Sequence, residues 1–181
     1  FGRIDICVTN SGGPPSKLFV DTNPEDWRAA VDLLLMSTAF FAKETLPRMQ
    51  KNKWGRFITI TSSAVKQPVD GLLLSNSIRS AVAGLAKTLA NEYAAHGITV
   101  NNVCPGYTHT ARLDDLAATI SARTGSQPES IFADWTRQIP AGRVGTPQEF
   151  AAVVTFLASD RASYVNGTSI AVDGGMIRSL L

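Results

Sequence analysis

Ser75 and Arg79 lie four residues apart in a run, Ser75 to His96, whose pattern predicts one long helix stopped by Gly97. Residues i and i+4 share a helix face, so a hydroxyl and a fixed positive charge are presented side by side. Thirteen positions before Ser75, Ser62 follows a β-rich run, Arg56 to Thr61, and adds a second hydroxyl. This set is suited to holding a ligand, because the guanidinium offers several donors. It is poorly suited to moving a proton: an aliphatic hydroxyl is a weak acid, and arginine keeps its proton far above neutral pH. Each residue also has a plain structural reading. Ser75 suits an N-cap or first helical turn, Arg79 a surface or interface charge, and Ser62 an ordinary loop serine whose part Ser63 could equally play. Tyr107 and His109 follow the Pro105-Gly106 turn; either could supply a proton, histidine near neutral pH above all, and either could simply be packed or solvated.

The elements that must position these residues alternate between strand and helix. Ile4 to Thr9 reads as a strand running into the loop Asn10-Ser11-Gly12-Gly13-Pro14-Pro15. Asn23 caps a helix with Pro24 in its first turn, which runs to about Gln50. The middle of that helix, Ala29 to Ala42, is apolar nearly all round, which predicts burial against a sheet on one side and a partner subunit on the other. Strands are expected at Arg56 to Thr61, Ile98 to Cys104 and Thr168 to Val172. Two stretches, Ser126-Gln127-Pro128-Glu129 and Thr146-Pro147-Gln148-Glu149, resemble capping boxes. The alternation predicts an α/β fold with a parallel sheet and helices on both faces. No repeat, low-complexity tract or linker divides residues 1–181.

Composition narrows the function classes. The chain has 181 residues, 44% hydrophobic and 18% charged, with a net charge of +2, values expected of one globular domain. Dispersed lysines and arginines argue against nucleic acid as a partner. The longest apolar run is broken by Asp32, Ser37 and Thr38, which argues against a membrane span. Cys7 and Cys104 sit in strand-like runs and read as free thiols of a reducing, cytoplasmic protein. No metal ligand set is assigned. The chain starts at Phe1, already close to a strand, and is expected to be part of something longer.

Five motifs, in order, resemble the short-chain dehydrogenase/reductase family, and among its members the 3-oxoacyl-carrier-protein reductases. They are Thr9-Asn10-Ser11-Gly12, Gly55 to Ser62, Gly97 to Asn101 with Pro105-Gly106, Gly142 to Pro147, and Val172-Asp173-Gly174-Gly175. The resemblance implies a Rossmann-type doubly wound parallel sheet of strand order 3-2-1-4-5-6-7. This chain would begin at the fourth strand, with the N-terminal strands and their Gly-rich turn missing. It also implies NAD or NADP as cofactor, hydride exchange with a carbonyl or alcohol, a small-molecule substrate of hydrophobic or acyl character, and a homo-tetramer or homo-dimer assembled through the two long helices. Ser80, Ala81, Ala83, Gly84 and Ala90 would let those helices approach closely.

Carried over residue by residue, the resemblance places Ser62 at the family's catalytic serine. Ser75 stands at its tyrosine, Arg79 at its lysine and Leu34 at its asparagine. Asn10, Gly12, Pro105, Gly106, Thr108 and Thr110 would face the nicotinamide end of the cofactor, joined by Arg79 on the ribose. The bland alternative is that these residues only build turns. Leu113 to Ile139 would form a substrate lid with Leu116, Ile131, Phe132 and Trp135 as apolar lining, or as core. Two functions follow: an NAD(P)-dependent oxidoreductase with an altered active site, or a catalytically impaired relative that binds a nucleotide or a partner without hydride transfer.

Overall fold

A computed structural model describes residues 2–180. β1 (Ile6–Asn10), β2 (Gly55–Ile60), β3 (Ile98–Pro105) and β4 (Ser169–Val172) form one parallel sheet in that order. Side chains alternate along each strand, and the alternation assigns the layers. Phe57 packs with Ala42, Leu46 and Met49 of α2 (Ser37–Asn52) and with Ala86 and Ala90 of α3 (Leu73–Tyr93). Its neighbour Ile58 packs on the opposite face with Val103, Leu157 and Ala162, under α6 (Pro147–Ala158). α4 (Ala111–Thr124) and α5 (Pro128–Gln138) form a separate cluster around Leu113, Ala117, Ile131 and Trp135. The doubly wound architecture and the contiguous strand order agree with the sequence reading.

The helix expected from Asn23 to Gln50 is interrupted. α1 (Pro24–Ala30) is opened by a capping box between Asn23 and Asp26, passes into a π-helical turn over Val31–Met36, and continues as α2. Hydroxyls service the loosened backbone: Ser37 Oγ donates to the Leu33 carbonyl at 2.6 Å and Thr38 Oγ1 to the Leu34 carbonyl at 2.9 Å. Burial all round is not found in the single chain. Leu34 is 1% exposed, but Leu33, Phe40 and Phe41 stand open to solvent. The sheet can cover only one side of a helix, and the far side is left bare.

Two further expectations are corrected. The helix at Pro128 has no capping box: its N-cap is Gln127, without a side-chain cap bond, and Ser126 lies outside. The box at Thr146 and Glu149 does form. There Arg143 and the Thr146 amide hold the Glu149 carboxylate well down, at a pKa of about 2. Ala90, expected at a helix–helix interface, is instead 1% exposed in the core beneath α3, whereas Ser80, Ala81 and Gly84 face outward.

β3 carries a polar core. Asn102 accepts from the hydroxyls of Thr59 and Thr61 at 3.0 and 2.7 Å and donates to Ser169 Oγ at 3.1 Å. Asn101 accepts from Thr168 and donates to the Val165 carbonyl. These bonds tie β2, β3 and β4 together just below the ends of the strands. Replacing Asn102 with Leu leaves two buried threonine hydroxyls without that acceptor. The expected cost is about 2–4 kcal/mol, measured by urea denaturation.

Candidate functional site

In open parallel sheets the carboxyl ends of the strands are where loops diverge and leave a crevice. Here a cleft of about 700 Å³ opens there. It is lined by Asn10, Gly12, Ser62, Ser75, Arg79, Pro105, Gly106, Thr108 and Thr110, which brings the expected catalytic and cofactor-side residues to one space, whereas Leu34 and His109 do not line it. An adjoining cavity of about 480 Å³ shares Ser63, Val69, Leu72, Tyr107, Leu116 and Met176 with it and extends toward Trp135 and Arg178.

Arg79 forms the floor. It is 8% exposed, which rules out a surface charge, and its donors are spread over three segments. Nη1 donates to the carbonyls of Ile60 and Thr61 at the end of β2, at 3.3 and 3.0 Å. Nη2 donates to the Gly12 carbonyl after β1 at 2.9 Å, and Nε to Ser75 Oγ at 3.2 Å. A guanidinium has five N–H groups, so four are committed within the protein and one is left. Burial, reinforced by the like charge of Arg112, pushes the Arg79 pKa below the usual arginine value. The residue expected to reach for a ligand is first a clamp on the chain itself.

The two serines differ. Ser75 is a buried first-turn residue of α3, whose N-cap is Leu72, and its oxygen is held by Arg79. Ser62 caps the short helical turn Ser63–Val65, its Oγ accepting from the Ala64 amide at 3.1 Å. That acceptor bond leaves the Ser62 hydroxyl proton available to the cleft. Leu34, which the resemblance would put at the family's asparagine, is 1% exposed and packs with Ala30, Leu74 and Ile78 between α1 and α3.

At the other wall, Gly106 lies against Asp173, where a Cβ would fall 2.6 Å from the aspartate side chain. Only glycine lets the turn after β3 sit this close to the segment after β4. Thr108 and Thr110 hydroxyls bond the local carbonyls of Gly106 and Thr108, both at 3.4 Å. Tyr107 stacks on Trp135 with ring centroids 4.9 Å apart, and burial raises its pKa, which keeps the phenol protonated but makes it a weaker acid. His109 is exposed, 4.0 Å from Asp114. Of the apolar lid residues, Leu113 and Leu116 line the cleft and Trp135 the adjoining cavity. Ile131 is 5% exposed within the α4–α5 cluster and Phe132 packs on Trp135; both serve as core. Tyr93 packs against the α2–α3 core. Sequence reasoning passed over Arg112, which lines the cleft in the first turn of α4; an arginine two positions after Thr110 was the available signal. Among the described residues no group of three or more His, Cys, Asp and Glu side chains is placed to hold a metal ion. No helix among them is long and apolar enough to cross a membrane.

If Arg79 is the tie between β1, β2 and α3, its loss is felt in stability. Arg79→Met is expected to cost about 2–4 kcal/mol. Arg79→Lys should fall between the two, since one ammonium cannot replace a planar fork at three carbonyls. Urea denaturation checks the cost, and faster hydrogen exchange in the Ser11–Gly13 loop checks the location.

Residues 1–177 match a family profile described as enoyl-(acyl carrier protein) reductase. The chain is 36% identical to oxidoreductase UcpA of Salmonella typhimurium over 177 residues, covering 96% of this chain and 65% of that protein. It is equally 36% identical to the 3-oxoacyl-[acyl-carrier-protein] reductase FabG of Escherichia coli, over 97% of this chain and 68% of the relative. Among solved structures it is similar to YwfH, an NADPH-dependent reductase involved in bacilysin biosynthesis, at 29% identity and a TM-score of 0.93, covering 99% of this chain and 69% of the other. An L-sorbose reductase from Gluconobacter frateurii, complexed with NADPH and L-sorbose, has a TM-score of 0.92 at 29% identity over the same shares. The chain thus spans about two thirds of the length of the proteins it matches.

Proposed function

The chain belongs to the short-chain dehydrogenase/reductase family, and from that premise we propose that the protein containing it is an NAD(P)-dependent oxidoreductase acting on a carbonyl or alcohol. The observation that carries the reading is the single cleft on which Ser62, Ser75, Arg79 and the nicotinamide-side residues converge. The cleft fits a dinucleotide chemically. A Cβ added to Gly12 would meet nothing within 4 Å, so a ligand can run close to the backbone there, and hydroxyls and guanidinium donors line the rest. Asn10, Gly12, Pro105, Gly106, Thr108 and Thr110 would hold the nicotinamide end, with the spare donor of Arg79 toward the ribose. When bound, such a cofactor supplies or accepts hydride.

The chain's own residues do the remainder. The free hydroxyl proton of Ser62 orients a substrate oxygen. Leu72, Leu113, Leu116 and Met176 give the cleft an apolar side, which suits a hydrophobic or acyl substrate. Neither Ser75 nor Arg79 is a practical proton source, so the proton that balances hydride transfer to a carbonyl comes from water admitted to the cleft. A specific observation favours a second reading. Leu34 is sealed in the core and Arg79 is committed to backbone carbonyls, an arrangement that suits binding without turnover. Fluorescence titration of the whole protein with NADH and NADPH, followed by a carbonyl panel, separates the two. Binding with turnover is expected; binding with no turnover on any substrate favours the second reading. Activity that appears only in a Ser75→Tyr, Arg79→Lys double variant would say the same.

The protein is further proposed to be cytoplasmic, in keeping with its free Cys7 and Cys104, and to form a homo-dimer or homo-tetramer. The support is Phe40 and Phe41, 60% and 56% exposed on α2, together with the small outward residues Ser80, Ala81 and Gly84 of α3. In the same spirit, the β1 edge, with Ile6 and Val8 47% and 43% exposed, is proposed to pair with further strands of the family's sheet. Light scattering on Phe40→Glu and Phe41→Glu variants should show dissociation to monomer.

A further inference from the structure

The charges in the cleft do not balance. Of the side chains that line it, two are ionised, Arg79 and Arg112, and none is an aspartate or glutamate. Arg79 satisfies itself on carbonyls and a serine, which carry no countercharge. The Arg112 side chain makes no hydrogen bond or ion pair among the described residues. Its guanidinium nonetheless lies against the loop after β1: a Cβ on Gly13 would be 3.1 Å from its Nη2. It is the second residue of α4, so the positive end of that helix adds to the same field.

Holding two like charges within range of one another, with no carboxylate lining the same space, is unfavourable in a partly desolvated site. The mutual effect is visible in the Arg79 pKa, which the Arg112 charge helps to lower. An oxyanion seated between them turns this repulsion into attraction and finds the spare donors of both groups. A fork of parallel N–H bonds is the geometry that carboxylates and phosphates take.

We infer that Arg112, backed by Arg79, is an anion clamp closing on the Gly12-Gly13 loop, which takes a phosphate or carboxylate oxyanion. Two ligands could bring that group, the phosphate of the nicotinamide dinucleotide or a carboxylate on the substrate. The inference rests on the proposed dinucleotide reading only for the choice between these sources.

The test uses the whole protein and an Arg112→Gln variant, with thermal melting to establish that both are folded. Inorganic pyrophosphate is titrated alone by calorimetry. Reduced nicotinamide mononucleotide and reduced nicotinamide riboside, which differ by one phosphate, are titrated by their fluorescence. Pyruvate is titrated as the carboxylate probe, with and without NADPH. If the anion is the cofactor's, Arg112→Gln weakens pyrophosphate and the mononucleotide roughly tenfold to a hundredfold and leaves the riboside unchanged. If it is the substrate's, the same loss appears with pyruvate. Arg112→Lys should recover part of the affinity in either case. Equal affinities of wild type and Arg112→Gln for all the anions, or no anion binding by the wild type, overturn the clamp. A riboside that fails to bind the wild type counts against the dinucleotide reading instead, and pyrophosphate and pyruvate still decide the clamp.

Discussion

A buried guanidinium without a carboxylate partner is the constraint on which the upper half of this molecule depends. Arg79 must find acceptors for its N–H groups once it leaves water. It finds them in the carbonyls at the ends of two neighbouring strands and in a serine on its own helix. The requirement works in both directions. Those carbonyls lie where the sheet ladder stops, so they lack strand partners of their own, and the arginine supplies them. Thr61 joins this floor to the polar core beneath, since its carbonyl accepts from Arg79 while its hydroxyl bonds Asn102. The shape of the cleft is therefore set by hydrogen bonding that runs from β4 through β3 and β2 to the loop after β1.

Much of this was legible in the sequence. The strand runs at Arg56 and Ile98 each follow a glycine, Gly55 and Gly97, and the second stops at Pro105, so their limits fall within a residue of those observed. The five motifs order the strands without reference to packing. Ser62, Ser75 and Arg79 could be placed at one cleft by counting from fixed points on either side. What was not legible is how each side chain spends its hydrogen bonds. Arg79 looked free to meet a ligand because a sequence does not show carbonyls left over at strand ends. Ala90 looked like a contact residue because small size marks an interface and a tight core alike. Gln127 took the N-cap from Ser126 because Pro128 fixes the first helical position, a register that the box pattern alone misjudged. Arg112 went unnoticed because its meaning lies in the absence of acids across a space formed by distant segments.

The residues at the cleft floor have a common physical sense. Arg79 is fixed by three segments, the Ser75 hydroxyl is short, buried and held by that guanidinium, and Leu34 is packed against α3. Each arrangement favours rigidity over proton mobility. On the proposed reading, binding and orienting fall to Ser62 and the turn at Pro105-Gly106, while the floor is part of the framework of the fold.

The π-helical turn at Val31–Met36 gives the long first helix two phases. Each residue turns an α-helix by about 100°, so a turn holding one residue more than usual rotates everything after it by nearly that amount relative to a continuous helix. Upstream of the turn, the inward stripe runs through Ala30; downstream, it resumes at Thr38, Ala42 and Leu46. Deleting a single residue between Val31 and Met36 would repair the hydrogen-bond ladder and yet ruin the helix. Phe40 and Phe41 would swing out of their present azimuth and the alanines would leave the sheet. The irregular turn acts as a gear between two amphipathic stripes written in different registers, and the helix keeps one buried side along its whole length only because the irregularity is there.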